Sequence, residues 1–233
     1  MNLKDKVFIV TGGSSGIGKS TAELLIQRGA RVVITGRDKE KLEKAAHEVG
    51  ALAVHADVST QEGIDLTMER TLNEFGDLHG LINNAGHGFR RAVGEYTWED
   101  FQEIYQTNVF GAAMMGQAAA EHFKKKKYGN IINIASTAAL KGYATGGIYS
   151  SSKFALRGLT QCWQAELRTY NVRVIGLNPS EVTTAFAQPE RKERENVDNK
   201  LRPMEIAHTI ISTLEMDDRG YIPEVTVHAT NPF

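Results

Sequence analysis

Val7-Phe8-Ile9-Val10 runs directly into Thr11-Gly12-Gly13-Ser14-Ser15-Gly16-Ile17-Gly18, and this stretch decides the fold. Four consecutive apolar residues, three of them β-branched, predict a strand buried on both faces. The glycines predict a sharp turn, and residues 17–29 then read as a helix ended by Gly29. In a strand–turn–helix unit, glycines let backbone N–H groups close on a pyrophosphate, and the helix N-terminus adds partial positive charge. Gly12, Ser14, Ser15, Gly16, Ile17 and Gly18 are therefore the candidate nucleotide-binding residues. Their spacing, Gly12-x3-Gly16-x-Gly18, is wider than the common G-x-G-x-x-G fingerprint.

Outward from that turn, short β-branched runs alternate with helical patterns. Strands are predicted at 31–35, 52–55, 78–82, 130–134, 172–177 and 222–227. Helices are predicted over 39–49, from a Ser59 cap to about 75, and over 98–125, 149–170 and 203–214, the last with Pro203 at its first position. This alternation implies right-handed βαβ crossovers. The expected fold is a single doubly wound α/β (Rossmann) domain over 1–233, its seven-stranded, mainly parallel sheet flanked by helices on both faces. Segment 185–202 is charged and has almost nothing to bury, so it reads as a mobile loop or exposed helix placed where a substrate lid would sit.

With 27 basic against 28 acidic residues, the chain gives no reason to expect nucleic acid or an anionic membrane as partner. The basic run Lys124 to Lys127 reads as the solvated end of a helix. One cysteine, Cys162, makes no internal disulfide and is too little for a thiolate metal site. The seven histidines lack metal-ligand spacing, so no metal is expected; His87 alone is placed to face a cleft. No apolar run approaches the roughly 20 residues that span a bilayer. The expectation is a soluble, cytoplasmic protein.

The motifs beyond the first turn are ordered along the chain: Asp57-Val58 after the third strand, Asn83-Asn84-Ala85-Gly86 after the fourth, then Asn108, Ser136, and Tyr149-x3-Lys153. Together with Thr11-Gly-x3-Gly-x-Gly they resemble the short-chain dehydrogenase/reductase family, single-domain type, near the 3-oxoacyl-thioester reductases and generic carbonyl reductases. The resemblance runs from Val7 to about Leu214. It implies an oxidoreductase moving hydride between a nicotinamide cofactor and a carbonyl or alcohol, with Asn108, Ser136, Tyr149 and Lys153 as its catalytic four. It further implies cofactor contacts from Asp57, Val58, Asn84, Ala85, Gly86, Tyr149, Lys153, Pro179, Val182 and Thr184. A homodimer or homotetramer is also implied, through the helix carrying Phe154, Ala155, Leu159, Trp163 and Leu167 and its neighbour over about 107–123. The chain departs from the family pattern at Ser180, where a glycine is usual, so either Ser180 adopts that glycine's conformation or the loop shifts.

The residues support this chemistry directly. Tyr149 and Lys153, four apart on a helix, share a face, and an ammonium beside a phenol favours the phenolate. Ser136, at a strand's carboxyl end, can hydrogen-bond a substrate oxygen, and Thr137 is an equally good local candidate. Asn108 is unfavourable in mid-helix, which points to a local role such as holding a water behind Lys153. At the end of the second strand, Thr35-Gly36-Arg37 offers no carboxylate for a ribose 2′-OH, whereas Arg37 can pair with a 2′-phosphate. NADP(H) is the preferred cofactor, with NAD(H) left open. Asp38 complicates this, since turned inward it would repel that phosphate. The alternatives are a sensor that binds NADP(H) without turnover and an isomerase or dehydratase of the related larger fold. The substrate, a small molecule, is expected to meet residues 87–91, 137–147 and 185–202; Arg90-Arg91 attract an acidic one or form a plain surface pair.

Overall fold

Every residue of β1 (Val7–Val10) is buried, and the pleat sends neighbours to opposite sides: Phe8 and Val10 join one hydrophobic cluster, Val7 and Ile9 the other. The computed structural model describes residues 1–186, 195 and 197–232. After β1 come α1 (Gly16–Gln27), β2 (Arg31–Gly36), α2 (Lys39–Val49), β3 (Leu52–His55), α3 (Gln61–Phe75) and β4 (Gly80–Asn83). The second half holds α4 (Trp98–Tyr105), α5 (Ala112–Lys126), β5 (Gly129–Ile134), α6 (Gly147–Leu167), β6 (Val172–Pro179), α7 (Pro203–Glu215) and β7 (Glu224–Val227).

The seven strands form one sheet in the order β3-β2-β1-β4-β5-β6-β7, all pairs parallel. Helices α1, α2 and α7 cover one face through Leu25, Leu42 and Ile210; α3, α5 and α6 cover the other through Ile64, Phe123 and Leu167. The strand order reverses between β1 and β4, so their carboxyl ends splay apart and open a crevice. This is the doubly wound Rossmann architecture.

Two local expectations, the cap of α3 and the unbroken helix over 98–125, are corrected. Thr60, not Ser59, caps α3, accepting from Gly63 N–H, while Ser59 donates to the Asp57 carboxylate. The helix expected over 98–125 is broken by a π-helical turn, Gln106–Gly111, between α4 and α5. Gly111 sets that turn against the loop after β3, because a Cβ there would come within 2.6 Å of the Val58 carbonyl oxygen. Segment 185–202 lies in part outside the described residues (187–194 and 196), but its far end is docked: Leu201 is buried and accepts from Thr183 N–H. Ser180 avoids the left-handed region and donates its N–H to Val227 of β7, so no glycine conformation is demanded there.

Candidate active site

Thr11 ties the glycine turn to β4. Its hydroxyl accepts from the Asn84 and Ala85 N–H groups at 3.0 Å each, and Asn84 Nδ2 returns bonds to the carbonyls of Thr11 and Gly12. Gly12 has φ +65°, and a Cβ there would sit 2.9 Å from Ala85 Cα, so only glycine lets the two loops close. The result is a shallow cradle at the start of α1, where N–H groups lack helical partners.

The cradle is one end of a cleft of about 1380 Å³ lying along the carboxyl edge of the sheet. Ser14, Ser15, Gly16 and Ile17 line that end, with Arg37, Asp57 and Val58 beyond them at the tips of β2 and β3. Ala85, Gly86, Pro179, Val182 and Thr184 line its middle. Gly18 and Asn108 do not reach the surface of the cleft. Gly18 stands behind the cradle, where a Cβ would meet Asn84 Nδ2 and the Gly12 carbonyl at 2.5 Å.

At the tip of β2, Asp38 lines the cleft and caps α2, its carboxylate accepting Lys41 N–H at 3.0 Å. Arg37 and Lys41 both line the cleft, and neither forms an ion pair with a described residue. Lys41 was not singled out in the sequence, although its place in the first turn of the helix after Arg37 was visible there.

Beyond the middle of the cleft, the first turn of α6 brings Tyr149 and Lys153 to one wall. The Ser136 hydroxyl, at the end of β5, accepts from Ala138 N–H and lines the same cleft as the Tyr149 phenol. Burial pushes the phenol up to about 12, while the neighbouring Ser136 hydroxyl acts in the other direction. The expectation that Lys153 draws the tyrosine down is not met in this arrangement. The Lys153 ammonium is 5.9 Å from the ring centroid and donates to the Ile134 carbonyl at 2.8 Å. Burial holds that ammonium down to about 8.

Asn108, in the π turn, spends its side chain within the protein. Its Oδ1 accepts His87 N–H, and its Nδ2 donates to the His87 carbonyl and to Ser152 Oγ of α6. It therefore fixes the loop after β4 against α6. His87 lines the cleft and faces Glu103 at 3.1 Å. Gly88, which the sequence did not mark, lets this loop lie on the Tyr149 ring; a Cβ there would come within 2.7 Å of Cδ2. On its other side the ring meets Phe186, with centroids 5.5 Å apart. Among the described residues, no group of three His, Cys, Asp or Glu side chains is placed to hold a metal ion, and no helix is long and apolar enough to cross a membrane.

The fold and cleft define a dinucleotide-type Rossmann protein carrying a serine–tyrosine–lysine cluster. Comparison with known proteins places it more closely. The short chain dehydrogenase family model matches residues 6–195, and the chain belongs to that family of oxidoreductases. Uncharacterized oxidoreductases of Staphylococcus aureus and Staphylococcus epidermidis are 32% identical over 232 residues and 30% identical over 231, covering 97% of both chains in each case. Among solved structures, an alcohol dehydrogenase of Thermococcus sibiricus complexed with 5-hydroxy-NADP superposes with TM-score 0.90 at 28% identity, covering 97% of each chain. A 3-ketoacyl-(acyl-carrier-protein) reductase of Brucella melitensis complexed with NADH gives 0.89 at 29%, covering 99% of this chain and 100% of that one.

Proposed function

We propose that this protein is an NADP(H)-dependent oxidoreductase acting on a carbonyl or alcohol, with Tyr149 as the proton-transfer group. The observation that carries this reading is that Tyr149, Ser136 and Lys153 line one cleft together with the glycine cradle. The cradle and its N–H groups suit a pyrophosphate, and the paired cations Arg37 and Lys41, with Asp38 capping α2, suit a 2′-phosphate. A nicotinamide cofactor bound along this cleft supplies the hydride in reduction and takes it in oxidation.

The chain's own residues handle the proton. Ser136 orients the substrate oxygen, and Tyr149 gives that oxygen its proton. Its high pKa keeps the phenol protonated at neutral pH, the state a donor needs. Lys153, still largely protonated near pH 7, stabilises the phenolate left behind and holds cofactor hydroxyls. Asn108, whose side chain is spent on His87 and Ser152, acts as a positioning residue that holds the loop after β4 against α6. We also read the chain as one domain, with segment 185–202 closing over the substrate. It is further read as a homodimer or homotetramer whose contact includes the exposed Phe110, Met114 and Phe154; Leu167 is buried in the core and Trp163 packs on Gly116.

The test is a panel of ketones and aldehydes offered with NADPH and with NADH, followed by absorbance. Turnover preferring NADPH supports the proposal. Tight NADPH binding with no turnover of any carbonyl would favour the sensor.

A further inference from the structure

Arg90 and Arg91 are neighbours in sequence with different surroundings. Arg91 is neutralised: its guanidinium donates to both oxygens of Asp100, at 3.0 and 3.3 Å. Arg90 instead lines the cleft, its guanidinium carbon 5.7 Å from the centroid of the Tyr143 ring, and no carboxylate of a described residue pairs with it. Lys141 lines the same cleft, likewise without an ion pair to a described residue. Among the described residues, the carboxylates of the cleft are Asp38, Asp57 and Glu181, and each is engaged, by Lys41 N–H, by Ser59 and by Lys200 respectively. Asp38 and Asp57 moreover follow β2 and β3, at the opposite end from Tyr149. Phe89, Leu140, Tyr143 and Phe186 give the Tyr149 end apolar and aromatic lining.

Arg90 is exposed, its guanidinium lies over an aromatic face beside apolar walls, and its planar fork matches a carboxylate. We propose that the substrate is a carbonyl compound with a flat apolar body and a carboxylate, the body lying among these aromatic side chains and the carboxylate held by Arg90 and Lys141. This inference rests on the oxidoreductase reading above and names the substrate class for it.

The test compares 4-acetylbenzoate with its methyl ester, measuring the affinity of each for the protein saturated with NADP⁺ by calorimetry. The acid should bind about 10- to 100-fold more tightly than the ester, the range of a charge-assisted hydrogen bond. The Arg90→Gln/Lys141→Gln variant should lose that preference and Arg90→Lys should keep only part of it, with thermal melting confirming that both remain folded. Equal binding of acid and ester, no binding of either, or an undiminished preference in the folded double variant would overturn the inference. Reduction of the same two ketones by NADPH is read separately. Turnover of both without discrimination removes the anion site and leaves the oxidoreductase reading. Discriminating binding with no reduction of any carbonyl does the reverse.

Discussion

Replacing Gly88 by alanine is a perturbation of a single methyl group aimed at Tyr149. Gly88 has no positive φ, so alanine suits its backbone, and the effect is steric. The new Cβ would stand 2.7 Å from Tyr149 Cδ2 and 3.2 Å from Cγ and Cε2, where ordinary contact begins at 3.4 Å. The ring must therefore retreat by 0.7 Å at its near edge (3.4 − 2.7). The hydroxyl lies farther out on the same lever and moves by about 1 Å, a displacement that can cost about 100-fold in rate when the group transfers a proton. Overpacking adds a stability loss of about 1–3 kcal/mol. The assay is kcat at saturating NADPH and ketone, beside the NADPH dissociation constant from protein fluorescence. We expect kcat to fall about 100-fold with cofactor affinity within about twofold of the parent. Gly94→Ala, whose Cβ would meet nothing within 4 Å, serves as the control and should be silent. A Gly88→Ala enzyme with unchanged kcat would refute the placement of Tyr149 as the group that matters.

Three further outcomes are expected. Arg37→Ala and Lys41→Ala should each raise the KM for NADPH by about 10- to 100-fold and leave that for NADH nearly unchanged, a lost bond to a charged group being worth about 1.5–3 kcal/mol; an equal effect on both cofactors would reject the 2′-phosphate site. Lys153 should lose its proton near pH 8, so kcat/KM for NADPH, which reports groups of the free enzyme, should fall as pH rises through about 8; a flat profile from about pH 7 to about 9.5 would contradict this. Burial and the Lys126 ammonium hold the His79 imidazole down to about 4 from its ordinary 6.5, and its Nδ1 accepts Val7 N–H. The folded protein thus refuses a proton that the unfolded chain takes up, so stability is full above pH 6.5 and declines as pH falls toward 4. Chemical denaturation across that range should show a loss of about 1–3 kcal/mol that His79→Gln largely removes.

The parallel sheet was legible because uninterrupted runs such as Val7–Val10 fit only strands covered on both sides, and because each was followed by a helical pattern. The glycine turn and the Tyr149–Lys153 pair were legible for the same reason: both depend on spacing within one local element. What the sequence hid depends on contacts between distant segments. The π turn at Gln106–Gly111 exists because Gly111 approaches Val58 and Asn108 holds His87, and neither partner is implied by a helical period. Gly88 looked like an ordinary loop glycine until α6 was packed against it. The i,i+4 spacing of Tyr149 and Lys153 reports proximity but not burial, and burial is what raises the phenol here. Asp38 was ambiguous in sequence because a cap on α2 depends on local backbone geometry that composition does not report.

The central claim is that the phenol of Tyr149 carries the proton. Tyr149→Phe keeps the ring, its contact with Phe186 and its place beside Gly88, and removes only the hydroxyl. The account predicts that this variant binds NADPH like the parent and reduces a competent ketone about 100- to 10,000-fold more slowly. Turnover at the parent rate with the hydroxyl gone would contradict it.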